Sequence, residues 1–352
     1  MKYLIISNMY PSEEQPEFAP FMKNIENGLR KNGVEVDKIV IVGRGDSIIS
    51  KIKKYLSLYI MIIKCDFSKY DFIQVSYPSH SYFPLIFKSP KGAKLIVRLH
   101  GEDLLNNNGK ESLFLKIGRL IFTRLSILRS DVVVVPSFYF LHVLKNKYHP
   151  LNVYVYPSGG IDTSKFFPKE IVHHKFTIGF VGRLVEGKGV EVLLKALKLL
   201  HFKYKVVIVG AGPLEKQLKE QTYKLDLYNS VEFVGSIKNE LLVNYYNLFD
   251  IFVFPTFGES FGNVGLEAMA CKVPVIGSEI EALKDYLVEG FNGYYFEVGN
   301  FMMLANKIEK YYSISDDEKI LMKNNSYQTA LAYESFSLTK KYVDYLNINF
   351  NY

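Results

Sequence analysis

Short runs of β-branched and aromatic residues alternate with longer segments of helical period along nearly the whole chain, and this alternation constrains the fold more than any other feature. It is the pattern of a parallel sheet covered by helices. The first half predicts strands at residues 3–7, 36–42, 72–75, 94–99, 132–135 and 153–156. Turn residues then interrupt at Pro157-Ser158-Gly159-Gly160-Ile161-Asp162, followed by a polar stretch with Pro168, His173 and His174. The alternation restarts with strands expected at 176–181, 206–209, 231–233, 251–254 and 273–276. A chain of 352 residues is long for one core and suits two domains. The expected class is α/β, with two doubly wound, Rossmann-like parallel-sheet domains facing a cleft, residues 1–168 and 169–334.

Composition narrows the function classes. Hydrophobic residues make up 48% and charged residues 22%, so a folded chain is expected. The two cysteines, Cys65 and Cys271, lack metal-ligand spacing and support neither a disulfide framework nor a zinc site. The start, Met1 to Asn8, enters a strand-like run without a secretory leader, and the longest apolar run, residues 55–63, is short of the ~20 residues that span a bilayer. A cytoplasmic protein is expected. Net charge is +7, and it is unevenly placed: up to Gly160 there are 22 Lys and Arg against 13 Asp and Glu, while the remainder is nearly balanced.

A basic half implies an anionic partner, a nucleic acid or a membrane surface. Lys51, Lys53 and Lys54 lead into the apolar run at 55–63, and Lys116, Arg119, Arg124 and Arg129 interleave with Leu113, Phe114, Ile117, Leu120, Ile121 and Leu128. Both segments read as basic helices with an apolar side, suited either to membrane contact or to ordinary half-buried packing. No nucleic-acid motif accompanies them. The membrane contacts expected are Lys51, Lys53, Lys54, Lys116 and Arg119, with the chain peripheral on the inner face of the cell membrane.

Ligands of open α/β sheets sit beyond the carboxyl ends of the strands, which selects four segments. One is His100-Gly101-Glu102-Asp103. The others are Gly182-Arg183, Gly210-Ala211-Gly212-Pro213 and residues 255–267. In the segment from Gly182 to Gly189, Arg183 and Lys188 flank a glycine-rich turn that leads into an amphipathic helix, a setting that neutralises a diphosphate or simply exposes two cations to solvent. Gly210-Ala211-Gly212-Pro213 lacks the third glycine of a dinucleotide fingerprint, since Glu215 stands there, and Pro213 suits the first position of a helix. Glu259 and Glu267 stand eight residues apart, roughly 80° out of line on one helix, so a loop for Glu259 and a helix starting near Asn263 for Glu267 suit them better. Either carboxylate could accept from sugar hydroxyls, or be a solvated face residue.

In order, spacing and context these segments closely resemble glycosyltransferase family four, the retaining group 1 glycosyltransferases. The resemblance rests on Gly182-Arg183-Leu184 with Lys188-Gly189, Gly210-Ala211-Gly212-Pro213, and Glu259-Ser260-Phe261-Gly262 with Glu267-Ala268-Met269-Ala270. It extends to the first half through His100-Gly101 and residues 131–137. It implies a GT-B fold, a donor domain in the second half, an acceptor domain in the first and a terminal helix, about 335–352, crossing back to it. It also implies retention of anomeric configuration without a metal or other cofactor, and the sequence indeed has no two aspartates separated by one residue. By the same resemblance Arg183, Lys188, Glu259 and His100 carry the chemistry. Glu259 holds sugar hydroxyls and Glu267 the ribose, while Gly182, Gly212, Pro213, Ser260, Phe261, Gly262, Asn263 and Val264 complete the donor site. His100 serves as a positioning donor, a general base or a strand-end histidine. Many relatives carry paired glycines where this chain has Phe18-Ala19-Pro20-Phe21; Pro20 offers no amide hydrogen to a phosphate, so Ala19, Pro20 and Phe21 form a modified acceptor-side loop. Ser158 replaces the family's usual asparagine in the interdomain turn.

The function expected is transfer of a hexose-type sugar from a nucleotide diphosphate donor, UDP ahead of GDP, to a lipid-linked or cell-surface glycan. The alternatives are a sugar-nucleotide epimerase or glycogen-type synthase on the same fold, and a non-catalytic nucleotide-sugar-binding module.

Overall fold

The computed structural model describes residues 1–15, 18–43, 45, 47–90, 92–104, 113–171 and 175–351; His173 and His174 lie outside these, as do the side chains of Glu102 and Lys116. The chain divides into two units, one formed by Met1–Gly160 with Ser335–Tyr352 and the other by Ile161–Glu334.

In the first unit six strands, β1 (Lys2–Tyr10), β2 (Glu35–Val42), β3 (Phe72–Ser76), β4 (Lys94–Arg98), β5 (Val132–Val135) and β6 (Val153–Val155), form one sheet in the order β2-β1-β3-β4-β5-β6. Every pairing is parallel. Val132 to Val135 are all buried, as a strand covered on both faces requires. One face packs under the helices Ile48–Lys64 and Phe138–Tyr148, and the other under Pro20–Lys31 and the terminal helix Ser335–Phe350. Aromatic rings fix that last helix: Tyr342 stacks on Tyr156 with centroids 5.0 Å apart, and Tyr154 meets Tyr345 at 4.6 Å.

The second unit repeats the design with β7 (Phe176–Val181), β8 (Tyr204–Val209), β9 (Val231–Gly235), β10 (Ile251–Phe254), β11 (Val275–Ser278) and β12 (Gly293–Phe296), ordered β12-β11-β10-β7-β8-β9 and again wholly parallel. The strand predicted at 273–276 begins two residues later. Val273 is still donating to the Ala268 carbonyl in the turn that ends a helix, with Lys272 left-handed, so pairing starts only after Pro274. Gly293-Tyr294-Tyr295-Phe296 was not predicted as a strand, having neither branched residues nor alternation. It forms because Gly293 admits the neighbouring backbone, a Cβ there falling 1.9 Å from the Val275 carbonyl oxygen.

The order of strands reverses between β1 and β3 in the first sheet and between β7 and β10 in the second. Those two switch points, at the carboxyl ends of the strands, are where a doubly wound sheet leaves a crevice.

Candidate functional site

At the switch point of the second unit three loops meet through bare backbone. A Cβ on Gly189 would fall 1.9 Å from the Pro255 carbonyl oxygen, one on Gly210 1.9 Å from that of Gly182, and one on Gly212 2.2 Å from that of Leu184. Gly189 and Gly210 also have positive φ, so glycine alone fits both the space and the backbone. Hydrogen bonds lock the approach: the Leu184 amide donates to Ala211, the Leu214 amide to Leu184 and the Phe257 amide to Gly187. A groove of about 360 Å³ opens beside this junction, with Gly187, Leu214 and Phe257 among its walls.

The ionisable groups lie on this frame. Lys188 Nζ donates to Glu259 Oε1, with both side chains mostly shielded from water. Thr256, unremarked in the sequence, places Oγ1 3.1 to 3.2 Å from the Gly187 and Gly258 carbonyl oxygens and Glu259 Oε1, any one of which can accept its single proton, and so sits between the pair and both loops. Arg183 is exposed on the same loop. Glu259 lies in the loop and Glu267 in the helix Asn263–Ala270, the separation that their spacing suggested. Glu267 accepts from the Tyr246 hydroxyl at 2.8 Å, and burial raises its pKa above the usual carboxylate value. Gly262 starts that helix with φ of 88°, its carbonyl accepting from the Tyr286 hydroxyl at 2.9 Å. The buried Oδ1 of Asn263, in the first turn, has no hydrogen-bond partner among the described residues. Ser260 and Val264 flank it half-buried.

The Phe261 ring is 1% exposed and packs on Tyr286 and Tyr333, each 5.6 Å away, so its side chain is part of the core and only its backbone is placed to meet a ligand in this loop. A large apolar ring beside a glycine turn is drawn into the adjacent core, and only its backbone stays near the loop.

The first unit gathers a different set of groups at its switch point. His100, just beyond β4, stacks on Tyr77 with centroids 4.2 Å apart and meets Phe21 at 5.1 Å. Its amide donates to Asp103 Oδ2 at 2.8 Å, and its buried Nε2 has no hydrogen-bond partner among the described residues. Burial, with Arg98 nearby, pushes the His100 pKa down to about 3. The imidazole is therefore neutral at physiological pH, and a neutral ring can offer or accept a single hydrogen bond at Nε2. Tyr77 and Ala19 are both left-handed, each starting a helix with proline at its first turn. Tyr77 escaped the sequence reading because nothing about a tyrosine marks it; only the rule of inspecting strand ends, applied to β3, would have reached it.

Of the basic residues expected at a membrane, Lys51 and Lys53 are exposed, and Lys54 is half-buried and donates to the Val42 carbonyl at 2.8 Å. Lys116 lies outside the described side chains. Arg119 needs a correction: it is 6% exposed, on the inward stripe of helix Leu113–Arg129 with Thr123, Ser126 and Ile127. Residues spaced by three or four share a face, so the same periodicity turns Ile117, Ile121, Arg124 and Leu128 outward.

Residues 162–328 match the family model described as Glycosyl transferases group 1. The capsular polysaccharide biosynthesis glycosyltransferase CapM of Staphylococcus aureus is 33% identical over 156 residues, which are 43% of this chain; the chain thus matches 40% of that protein's length. Among solved structures, sucrose-phosphate synthase from Thermosynechococcus elongatus superposes with a TM-score of 0.82 at 16% identity, covering all of both chains. Anabaena HepE in complex with UDP superposes with a TM-score of 0.77 at 17% identity, over 99% of this chain and 100% of that one. These likenesses show the GT-B fold, and the segment that matches the family model lies wholly within the second unit.

Proposed function

We propose that this chain is a retaining, metal-independent hexosyltransferase that uses a nucleotide diphosphate sugar, UDP before GDP, and a lipid-linked or cell-surface glycan acceptor at a membrane surface. The observation that carries the reading is the Lys188–Glu259 pair, held on glycine loops at the switch point of a group 1 glycosyltransferase segment. On donor binding, Lys188 turns to the diphosphate with Arg183, and Glu259 is released to accept from sugar hydroxyls. Glu267, shaped by Tyr246, takes the ribose. The bond from the anomeric carbon to phosphate breaks, the acceptor oxygen adds on the same face, and the departing phosphate oxygen takes the acceptor's proton. Two loop cations and the first-turn amides of the helix that starts at Asn263 stabilise the leaving charge. UDP is favoured because HepE is described with UDP, and the glycan acceptor because CapM is named for capsular polysaccharide biosynthesis.

The test is release of free nucleotide from a panel of UDP- and GDP-sugars in EDTA, with and without a crude membrane lipid extract. Lipid-dependent release from one donor is expected. Nucleotide binding without turnover on any donor would favour a binding module, and release only after a divalent metal is added would overturn the metal-independent mechanism.

A further inference from the structure

The helix Ile48–Lys64 carries an apolar face that the fold leaves uncovered. Leu58 and Ile62 point into the core, whereas Ile49, Ile52, Leu56, Ile60 and Ile63 are each more than half exposed. Their spacing of three and four puts them in one stripe, roughly 140° around the helix from the buried residues. Scattered exposed aliphatics are ordinary, but an unbroken stripe on the outside of a helix is not.

The stripe does not stop at that helix. Phe83 meets Tyr59 at 5.7 Å on one side and Phe122 at 5.8 Å on the other, and also meets Phe87 at 5.6 Å. It therefore joins Ile48–Lys64 to Leu113–Arg129, whose outward residues Ile117, Ile121 and Leu128 are about half exposed or more. Phe87 projects furthest, 78% exposed. Neither helix contains an Asp or Glu. Lys53 and Lys64 are exposed along one side of the stripe, and Arg124 and Arg129 are exposed on the second helix.

We infer that this face of the first unit docks on an anionic lipid bilayer, with the isoleucine stripe and Phe87 entering the interface and the lysines and arginines meeting headgroup phosphates. The inference rests on the proposed membrane-surface acceptor and names the surface that meets the membrane. Charge decides the occupant: a second copy of this chain would bring the same uncompensated positive face against this one, whereas an acidic membrane neutralises it and covers the apolar stripe together. The inner side of the same helix reaches the strand-end loops. Tyr55 accepts from Asn8 Nδ2 at 2.9 Å, and Tyr59 donates to the His80 carbonyl at 2.9 Å. Docking thus sets the bilayer against the helix that supports these loops, so a lipid-anchored acceptor arrives beside the first unit's switch point.

The full chain is mixed with phosphatidylcholine vesicles, with and without phosphatidylglycerol, and its sedimentation measured at rising salt. Binding to the anionic vesicles that weakens with salt is expected. The substitutions Ile52→Ser, Leu56→Ser and Phe87→Ser, made together at exposed positions and checked by circular dichroism, should weaken binding by roughly tenfold or more while every cation remains. Equal binding to both vesicle types, no binding by the parent chain, or unchanged binding by the folded variant would each overturn the inference. So would concentration-dependent dimers, measured by analytical ultracentrifugation without lipid, that the same substitutions abolish. Hydrolysis of the nucleotide sugar without vesicles separates the two readings: preserved hydrolysis with no vesicle binding sinks the docking face alone, and vesicle binding without any turnover sinks the transferase alone.

Discussion

Both units place candidate groups at the switch point of a parallel sheet, but one uses backbone and the other side chains. In the second unit the left-handed positions of the converging loops are glycines, Gly187, Gly189, Gly210 and Gly262, and the chain packs against itself too closely for any Cβ at Gly189 or Gly210. In the first unit the comparable left-handed residues are Ala19 and Tyr77, and the groups brought together are rings: Phe21, Tyr77 and a neutral His100. Bare amides and two cations suit an anion with fixed geometry. Aromatic faces and a single uncharged imidazole suit a neutral, hydroxyl-bearing ring. Under the proposed transfer, this contrast fits a charged donor at the second unit and a neutral acceptor at the first.

The largest effect expected is at the pair that defines the charged site. Glu259→Gln should lower turnover by about a hundredfold while nucleotide affinity, read by calorimetry, stays within a few-fold. Equal loss of both would make Glu259 a structural partner of Lys188 and blur the contrast. Next comes the backbone frame: Gly189→Ala forces a methyl group onto the Pro255 carbonyl at a positive φ, and thermal unfolding should show roughly 2–5 kcal/mol of destabilisation. An unchanged melting curve would mean that the loops separate at little cost. Arg183→Ala, on an exposed residue, should leave stability alone and weaken nucleoside diphosphate binding by roughly tenfold, an effect that shrinks as salt rises.

The smallest effect sharpens the other side. With its folded pKa near 3 and an ordinary value of 6.5, His100 stays neutral over the working range, so turnover should show no inflection near 6.5 that His100→Gln removes. An inflection abolished by that substitution would make His100 a general base. Stability carries the complementary signature. The unfolded chain takes up the His100 proton first as pH falls, so the stabilising contribution is complete above 6.5 and is lost progressively toward 3. Acid unfolding of His100→Gln should therefore be less steep across that window.

Legibility followed the same division. The donor-side loops could be read in advance because glycine spacing is a backbone property: Gly182, Gly189, Gly210 and Gly212 stand after strands that the alternation identified, and the Glu259 to Glu267 spacing already required a loop followed by a helix. Thr256 lay inside the selected segment and went unnoticed, since a threonine after a strand is ordinary until its hydroxyl is seen to reach three acceptors. The burial of the Phe261 ring was not legible for the converse reason, because a motif records adjacency and not the direction of a side chain.

By itself the sequence determined the doubly wound class and the glycine-rich loops after the strands of the second unit, while the division it suggested at residues 168/169 falls eight residues past the one between Gly160 and Ile161. Each follows from local rules: the period of apolar residues, turn chemistry and the steric freedom of glycine. Tertiary structure alone decided which helix faces were left bare. Arg119 turned inward and the isoleucine stripe outward although both sit on basic, apolar helices, because burial depends on which neighbour covers a face. It also decided that His100 is neutral: the larger cause of its lowered pKa is burial, and the rings packed on the imidazole, Tyr77 and Phe21, stand 23 and 79 residues away in the chain, while Arg98, two residues back, contributes less.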